Sequence, residues 1–197
     1  MNIQVKSSHG ITTIPINTKL LTERKIFIEG EINEETACRF VKQLFLLSSE
    51  DSEKPIDVYI TSPGGEINSG LMMYDAIQGC KTPIRMFCMG RAFSMGAVLF
   101  ACGKHGRYIL PHSEVMLHEP LLGGKVGGNA SSIRSISESL LETKRKLNQI
   151  LALHTGKTEE EIEEATKFDH YYSAEESVEF GLADKIVSFG EIMEGKI

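Results

Sequence analysis

The chain has 197 residues, 41% hydrophobic and 24% charged, which suits a single domain over residues 1–197 with a sizeable core. Its formal net charge of −6 argues against nucleic acid as the main partner, because phosphate binding needs a basic surface. No apolar run approaches the roughly 20 residues of a membrane span, and the N-terminus "MNIQVKSSHGITTIP" lacks the apolar centre of a secretory signal, so no membrane partner is expected and the cytoplasm is the expected compartment.

In chain order, "RKIFIEG" reads as a strand closed by glycine, and Asn33 caps a helix on which Ala37, Phe40, Val41, Leu44 and Leu47 recur at helical spacing. "IDVYIT" is a second strand running into "SPGGEINSG", followed by a helix through Leu71, Tyr74 and Ile77. "PIRMFCMG" is a third strand, and the apolar stretch after Ser94 is a helix. "GRYIL" and "SEVMLHEP" are further short strands. Such alternation predicts an α/β fold with mostly parallel strands, whose sites gather at the carboxyl ends of strands. Both "SPGG" and "GRAFSMG" occupy such ends.

The glycine-rich "LLGGKVGGNASS" then leads into a long amphipathic helix from about Ser131 to His154, with Ile133, Ile136, Leu140, Leu147, Ile150 and Leu151 on one stripe. A helix of that length suits an outward arm that packs on another copy. Capping boxes start at Thr158 and Ser173, and Gly156 and Gly181 are placed to end helices. "TGKT" therefore closes a helix; it lacks the upstream glycine of a phosphate-binding loop, since Leu151 stands there. "HEP" at His118 has no second histidine at zinc spacing, and no metal is expected. Cys38, Cys80, Cys88 and Cys102 show no CxxC spacing and read as buried free thiols.

Acyl transfer by serine needs a serine on a tight turn, a base, an orienting acid and two N–H donors for the oxyanion. Ser94, with Ala92 and Gly96 on either side, suits a strand-to-helix elbow, although A-x-S-x-G alone is equally compatible with a helix cap. His118 ends a strand ahead of Pro120 and is either an edge residue or a base. Asp169, before the extended "HYYSAEE", is either a solvated loop carboxylate or the acid. Pro63 with Gly64 and Gly65 can form a turn that aims the Gly65 N–H into a site, and the Met95 N–H at a helix start is the second candidate donor.

Taken together, "YITSPGGEINSGLMMYDAI", "FCMGRAFSMGAVLFACGKHGRYILPHSEVMLHEP" and "SAEESVEFGLADKI" resemble, in order and spacing, the motifs of the Clp protease proteolytic subunits (ClpP), over roughly Leu20 to Ser188. The resemblance implies a ClpP/crotonase-like α/β fold of repeated β-β-α units with a protruding handle, a long helix plus a strand, within residues 120–155, and an N-terminal axial segment over 1–19. It implies Ser94 as nucleophile, His118 as base and acid, Asp169 as the orienting residue, and the Gly65 and Met95 amides as the oxyanion hole of a serine endopeptidase. Unfolded polypeptide would add as a strand between Gly64, Glu66 and Ile67 on one side and Leu121, Leu122, Gly123 and Gly124 on the other. It further implies heptameric rings stacked in pairs, and docking of a separate AAA+ Clp unfoldase near Tyr59, Phe87, Met89 and Leu110. No cofactor is implied in this chain, because the unfoldase is what uses ATP.

The sequence departs from the family pattern upstream of "KLLTER", at Gly79, at Lys167–Phe168 where an acidic–arginine pair usually links the rings, and at Glu119 in place of glutamine. These changes imply altered gating and ring stacking, with a ClpP paralogue as a further ring partner, and put a charge beside His118. Two alternatives share the frame: a catalytically silent ring subunit, and a crotonase-type acyl-CoA enzyme.

Overall fold

The computed structural model of the chain describes residues 1–8, 10–123, 127–195 and 197. Its centre is a mixed, mostly parallel sheet. Strands β3 (Lys25–Glu29), β4 (Ile56–Ser62), β5 (Ile84–Phe93), β6 (Arg107–Ile109) and β9 (Lys185–Ile186) run parallel in that order. Helices α2 (Glu34–Glu50), α3 (Ile67–Gly79) and α4 (Met95–Ala101) join the first of these, as parallel pairing requires a crossover. Consecutive strands without an intervening helix come at β6 and β7 (Glu114–Leu117), ahead of α5 (Ala130–Thr155).

Local signals explain most of these elements. Asn33 and Thr36 form a reciprocal capping box at the start of α2, which buries Ala37, Phe40, Leu44 and Leu47. The boxes at Thr158 and Ser173 start α6 (Glu159–Thr166) and α7 (Ala174–Phe180), and Gly156 and Gly181 close α5 and α7 in left-handed conformation. The core unites both ends of the chain, from Ile26 and Phe40 through Met86 and Phe100 to Ile162 and Leu182.

One irregularity sets the site. Between the Ile60–Cys88 and Ser62–Ala92 pairs, β5 takes two more residues than β4. Such a bulge bends and twists a strand. Before it, β5 pairs with β6 at Met86–Cys88; beyond it, Arg91–Phe93 pair with β7. The sheet thus changes neighbours halfway along β5, and β7 in turn carries the antiparallel strand β8 (His170–Tyr172). The carboxyl ends of β4, β5 and β7 converge at that division, where parallel sheets open a crevice.

The first nineteen residues hold a two-stranded hairpin, β1 (Asn2–Ser7) and β2 (Gly10–Pro15), and the start of α1 (Ile16–Thr22). A short α8 (Phe189–Met193) follows the sheet. Helix α5 is an arm, as its stripe predicts: Leu147 and Leu151 are buried, whereas Ile133 and Leu141 are exposed. The expected handle strand differs. Leu121–Gly123 are irregular and exposed, with no backbone hydrogen bond to a strand among the described residues; the rest of that predicted strand, Gly124–Val126, lies outside the described residues. Among the described residues no helix is long and apolar enough to cross a membrane.

Candidate active site

Ser94 makes the turn between β5 and α4 by itself, at φ 55° and ψ −122°. A non-glycine residue held there costs about 1–3 kcal/mol and persists only if its surroundings enforce it. They do: the Ser94 N–H donates to the Met116 carbonyl at 2.8 Å, and the Ser94 carbonyl accepts from Ala97 N–H at 2.9 Å. Ala92 is fully buried, and Gly96 lies so close to Ser62 that a Cβ would come within 3.3 Å of the Ser62 Cβ.

The "SPGG" turn is pressed against this elbow. A Cβ on Gly64 would sit 2.7 Å from both the Ser94 Cβ and the Phe93 carbonyl oxygen, and one on Gly65 would sit 2.2 Å from the Ile32 carbonyl oxygen. Only glycine fits at either place. Ile32 donates to the Gly64 carbonyl at 2.9 Å and accepts from the Glu66 N–H at 2.7 Å, as in a parallel bridge. The bridge uses the bonding groups of the residues flanking Gly65 and turns those of Gly65 the other way. Of the predicted substrate contacts, the Gly64 carbonyl and Glu66 N–H are thus already engaged, while Gly65 and Ile67 line the cavity beside Ser94. Neither the Gly65 nor the Met95 N–H donates to an acceptor among the described residues.

His118 lies one residue past β7, with Nε2 2.7 Å from Ser94 Oγ. Its other ring nitrogen, Nδ1, is 3.4 Å from Asp169 Oδ1, longer than a good hydrogen bond. The final β7–β8 pair, Leu117 with His170, sets these two residues side by side. The imidazole is 17% exposed and the Asp169 side chain 60%. Ser94, His118 and Asp169, separated by up to 75 positions in the chain, thus form one contact series.

The cavity at Ser94 measures about 210 Å³. Val98, Leu147, Leu151, Asn148 and Thr166 wall it, from three helices, and none of them stands out as a site residue in the sequence. The stripe of α5 signals Leu147 and Leu151 as apolar, but nothing in the local pattern signals Asn148 or Thr166. An adjoining groove of about 470 Å³ runs past Ile67, Leu121 and Leu122 toward Ile136 and Leu140 on the arm. Gly123 is exposed beyond it, and the predicted contact at Gly124 lies outside the described residues.

The four positions expected to meet a partner lie elsewhere. Tyr59 and Phe87 are 5% and 2% exposed, inside an aromatic ladder Phe27–Tyr59–Phe87–Tyr108 with ring centroids 4.9–5.0 Å apart; Met89 and Leu110 are half-buried. The cysteines take no part in the site: Cys88 and Cys102 are buried, which pushes both thiols up to about 12, and Cys38 and Cys80 are half-buried. Among the described residues no group of three or more His, Cys, Asp or Glu side chains is placed to hold a metal ion.

A family model described as Clp protease matches residues 8–189 of the 197.

Proposed function

The chain belongs to the Clp protease family, ClpP-like peptidases, and from that premise we propose that it is the proteolytic subunit of an ATP-dependent Clp protease, cleaving unfolded polypeptide with Ser94, His118 and Asp169. The observation that carries the reading is the 2.7 Å separation of Ser94 Oγ and His118 Nε2 at a strained strand-to-helix elbow. Ser94 Oγ attacks the scissile carbonyl carbon while its proton passes to His118 Nε2. The Gly65 and Met95 N–H groups receive the oxyanion, for which their lack of other acceptors among the described residues suits them. Collapse of the intermediate expels the amine, which takes the proton from Nε2. Water, activated by the same nitrogen, then hydrolyses the acyl-enzyme ester. Asp169 orients the imidazole and stabilises its charged form.

Substrate enters as an added strand between Gly65–Ile67 and Leu121–Gly123, where the latter's backbone groups are unpaired among the described residues. Backbone contacts of that kind are indifferent to sequence. Ring assembly, general in the family, accounts for the apolar side chains left uncovered on one copy: Leu141 and Leu153 on the arm, and Phe168 at 78% exposure. Phe168 and Lys167 replace the acidic–arginine pair of relatives, so ring stacking here is apolar in character and open to a paralogous ring. The separate unfoldase supplies ATP hydrolysis, and this chain uses no cofactor.

The test is labelling of the assembled protein with a fluorophosphonate, with the modified peptide mapped by mass spectrometry. Labelling at Ser94, abolished in Ser94→Ala, is expected. An assembled ring that does not label would replace this reading with that of a silent ring subunit, which the 3.4 Å His118–Asp169 separation favours.

A further inference from the structure

The hydrogen-bond series of the site ends on its weakest link. Asp169 touches His118 at 3.4 Å, and its carboxylate has no other partner among the described residues. What places it must therefore act through the segments that carry it and His118. One tie is the β7–β8 ladder, which ends at Leu117 and His170. A second lies on the opposite side. Lys144, on the arm helix α5, has its Nζ 2.9 Å from Glu119 Oε2 and 3.0 Å from Glu163 Oε1. Glu119 directly follows His118, and Glu163 belongs to α6, whose end at Thr166 leads straight to Asp169.

We propose that Lys144 is a positioning residue: by bridging Glu119 and Glu163 it draws the His118 and Asp169 segments together and ties their spacing to the root of the arm. This rests on the hydrolase reading given above. The bridge also answers what the unusual Glu119 does, since its charge is turned onto Lys144. The Lys144 side chain is 21% exposed, and the two carboxylates hold its ammonium above the ordinary range, Glu119 contributing first. Both carboxylates are more open, at 42% and 63%, so dissolved salt reaches the bridge. Arg145 is a built-in comparison. It lines the same cleft beside Glu159 and Glu160 but pairs with no carboxylate among the described residues.

The experiment measures the fluorophosphonate labelling rate, and kcat and KM on a fluorogenic peptide, for the assembled wild type, Lys144→Met, Lys144→Arg and Arg145→Met. Lys144→Met is expected to slow labelling and lower kcat about tenfold or more with KM little changed, because misplacing a reacting group by a fraction of an ångström is costly. Lys144→Arg restores most of the rate, and Arg145→Met matches wild type. Raising NaCl to 1 M slows wild type toward the Lys144→Met rate and leaves that variant unchanged. If Lys144→Met does not fold, the salt response of folded wild type decides, and a flat response overturns the proposal. Equal rates for Lys144→Met and Arg145→Met, or no rescue by arginine, overturn it while the hydrolase reading stands. A wild type that never labels removes both.

Discussion

Ser94 and Asp169 sit at opposite ends of one contact series, yet the molecule holds them in different ways. The serine corner is made of backbone: a bulged β5, a glycine on which any Cβ would come within 2.7 Å of the Ser94 Cβ, and carbonyl and amide bonds from Met116 and Ala97. Asp169 stands 60% exposed just ahead of a three-residue strand, with one long contact to His118 among the described residues, and follows a helix whose Glu163 is itself in a surface ion pair with Lys144. Ser94 and the Gly64–Gly65 turn are thus fixed by backbone packed in the core, whereas Asp169 is held by few contacts of its own.

The sharpest way to break this comparison is at the serine. Ser94→Ala is expected to lower peptide hydrolysis by about 10,000-fold or more. Ser94→Gly is expected to do the same while raising stability in urea by about 1 kcal/mol, since glycine accepts φ 55° without strain. A less stable glycine variant would mean that the corner stores no strain.

At the other end, Asp169→Asn should slow labelling of Ser94 by up to about 10,000-fold, through loss of the imidazole's orientation. Its melting temperature should stay close to wild type, because the side chain is mostly in solvent. A large stability loss would show that Asp169 is as structural as the serine corner.

Gly65→Ala tests the corner's rigidity from its far side. The added Cβ meets the Ile32 backbone at 2.2 Å, so urea denaturation should show a loss of about 2 kcal/mol, together with loss of activity. An unchanged stability would mean that the turn gives way and that the Gly65 N–H is not rigidly held.

The smallest effect concerns pH at the arm's root. His154 Nε2 lies 3.1 Å from the Tyr74 hydroxyl, and burial, then the charges of Arg107 and Lys104, push its pKa below the ordinary 6.5. The unfolded chain therefore takes up this proton first. The contribution is complete above about pH 6.5 and is lost as pH falls toward the folded value. Between pH 7.5 and 5.5, wild type should lose more melting temperature than His154→Gln does. Equal losses would place the acid sensitivity elsewhere.

What could be read from the residues follows the range of the forces involved. The caps at Asn33, Thr158 and Ser173 and the stripes of α2 and α5 are matters of a few consecutive positions, and their elements stand where the pattern places them. The box at Ser188 and Glu191, which starts α8, carries the same spacing and was there to be found. The hairpin β1–β2 is less legible, because each strand offers two apolar residues and, among the described residues, pairs with no other strand. The described part of the expected handle strand, Leu121–Gly123, is irregular for a related reason: strand structure needs an edge to pair with, and a sequence says nothing about where that edge is.

The residues alone therefore determined the α/β alternation and the long arm, which depend on periodicity and turn chemistry, and these are local; the grouping of Ser94, His118 and Asp169 was implied only by the resemblance of three separated motifs to the Clp protease family. Only the tertiary structure decided that Gly65 turns its N–H away from Ile32, that Asn148 and Thr166 wall the cavity, and that Lys144 answers the charge of Glu119. Each of these depends on the relative placement of segments far apart in the chain, which bulge, register and packing settle together and no single stretch encodes.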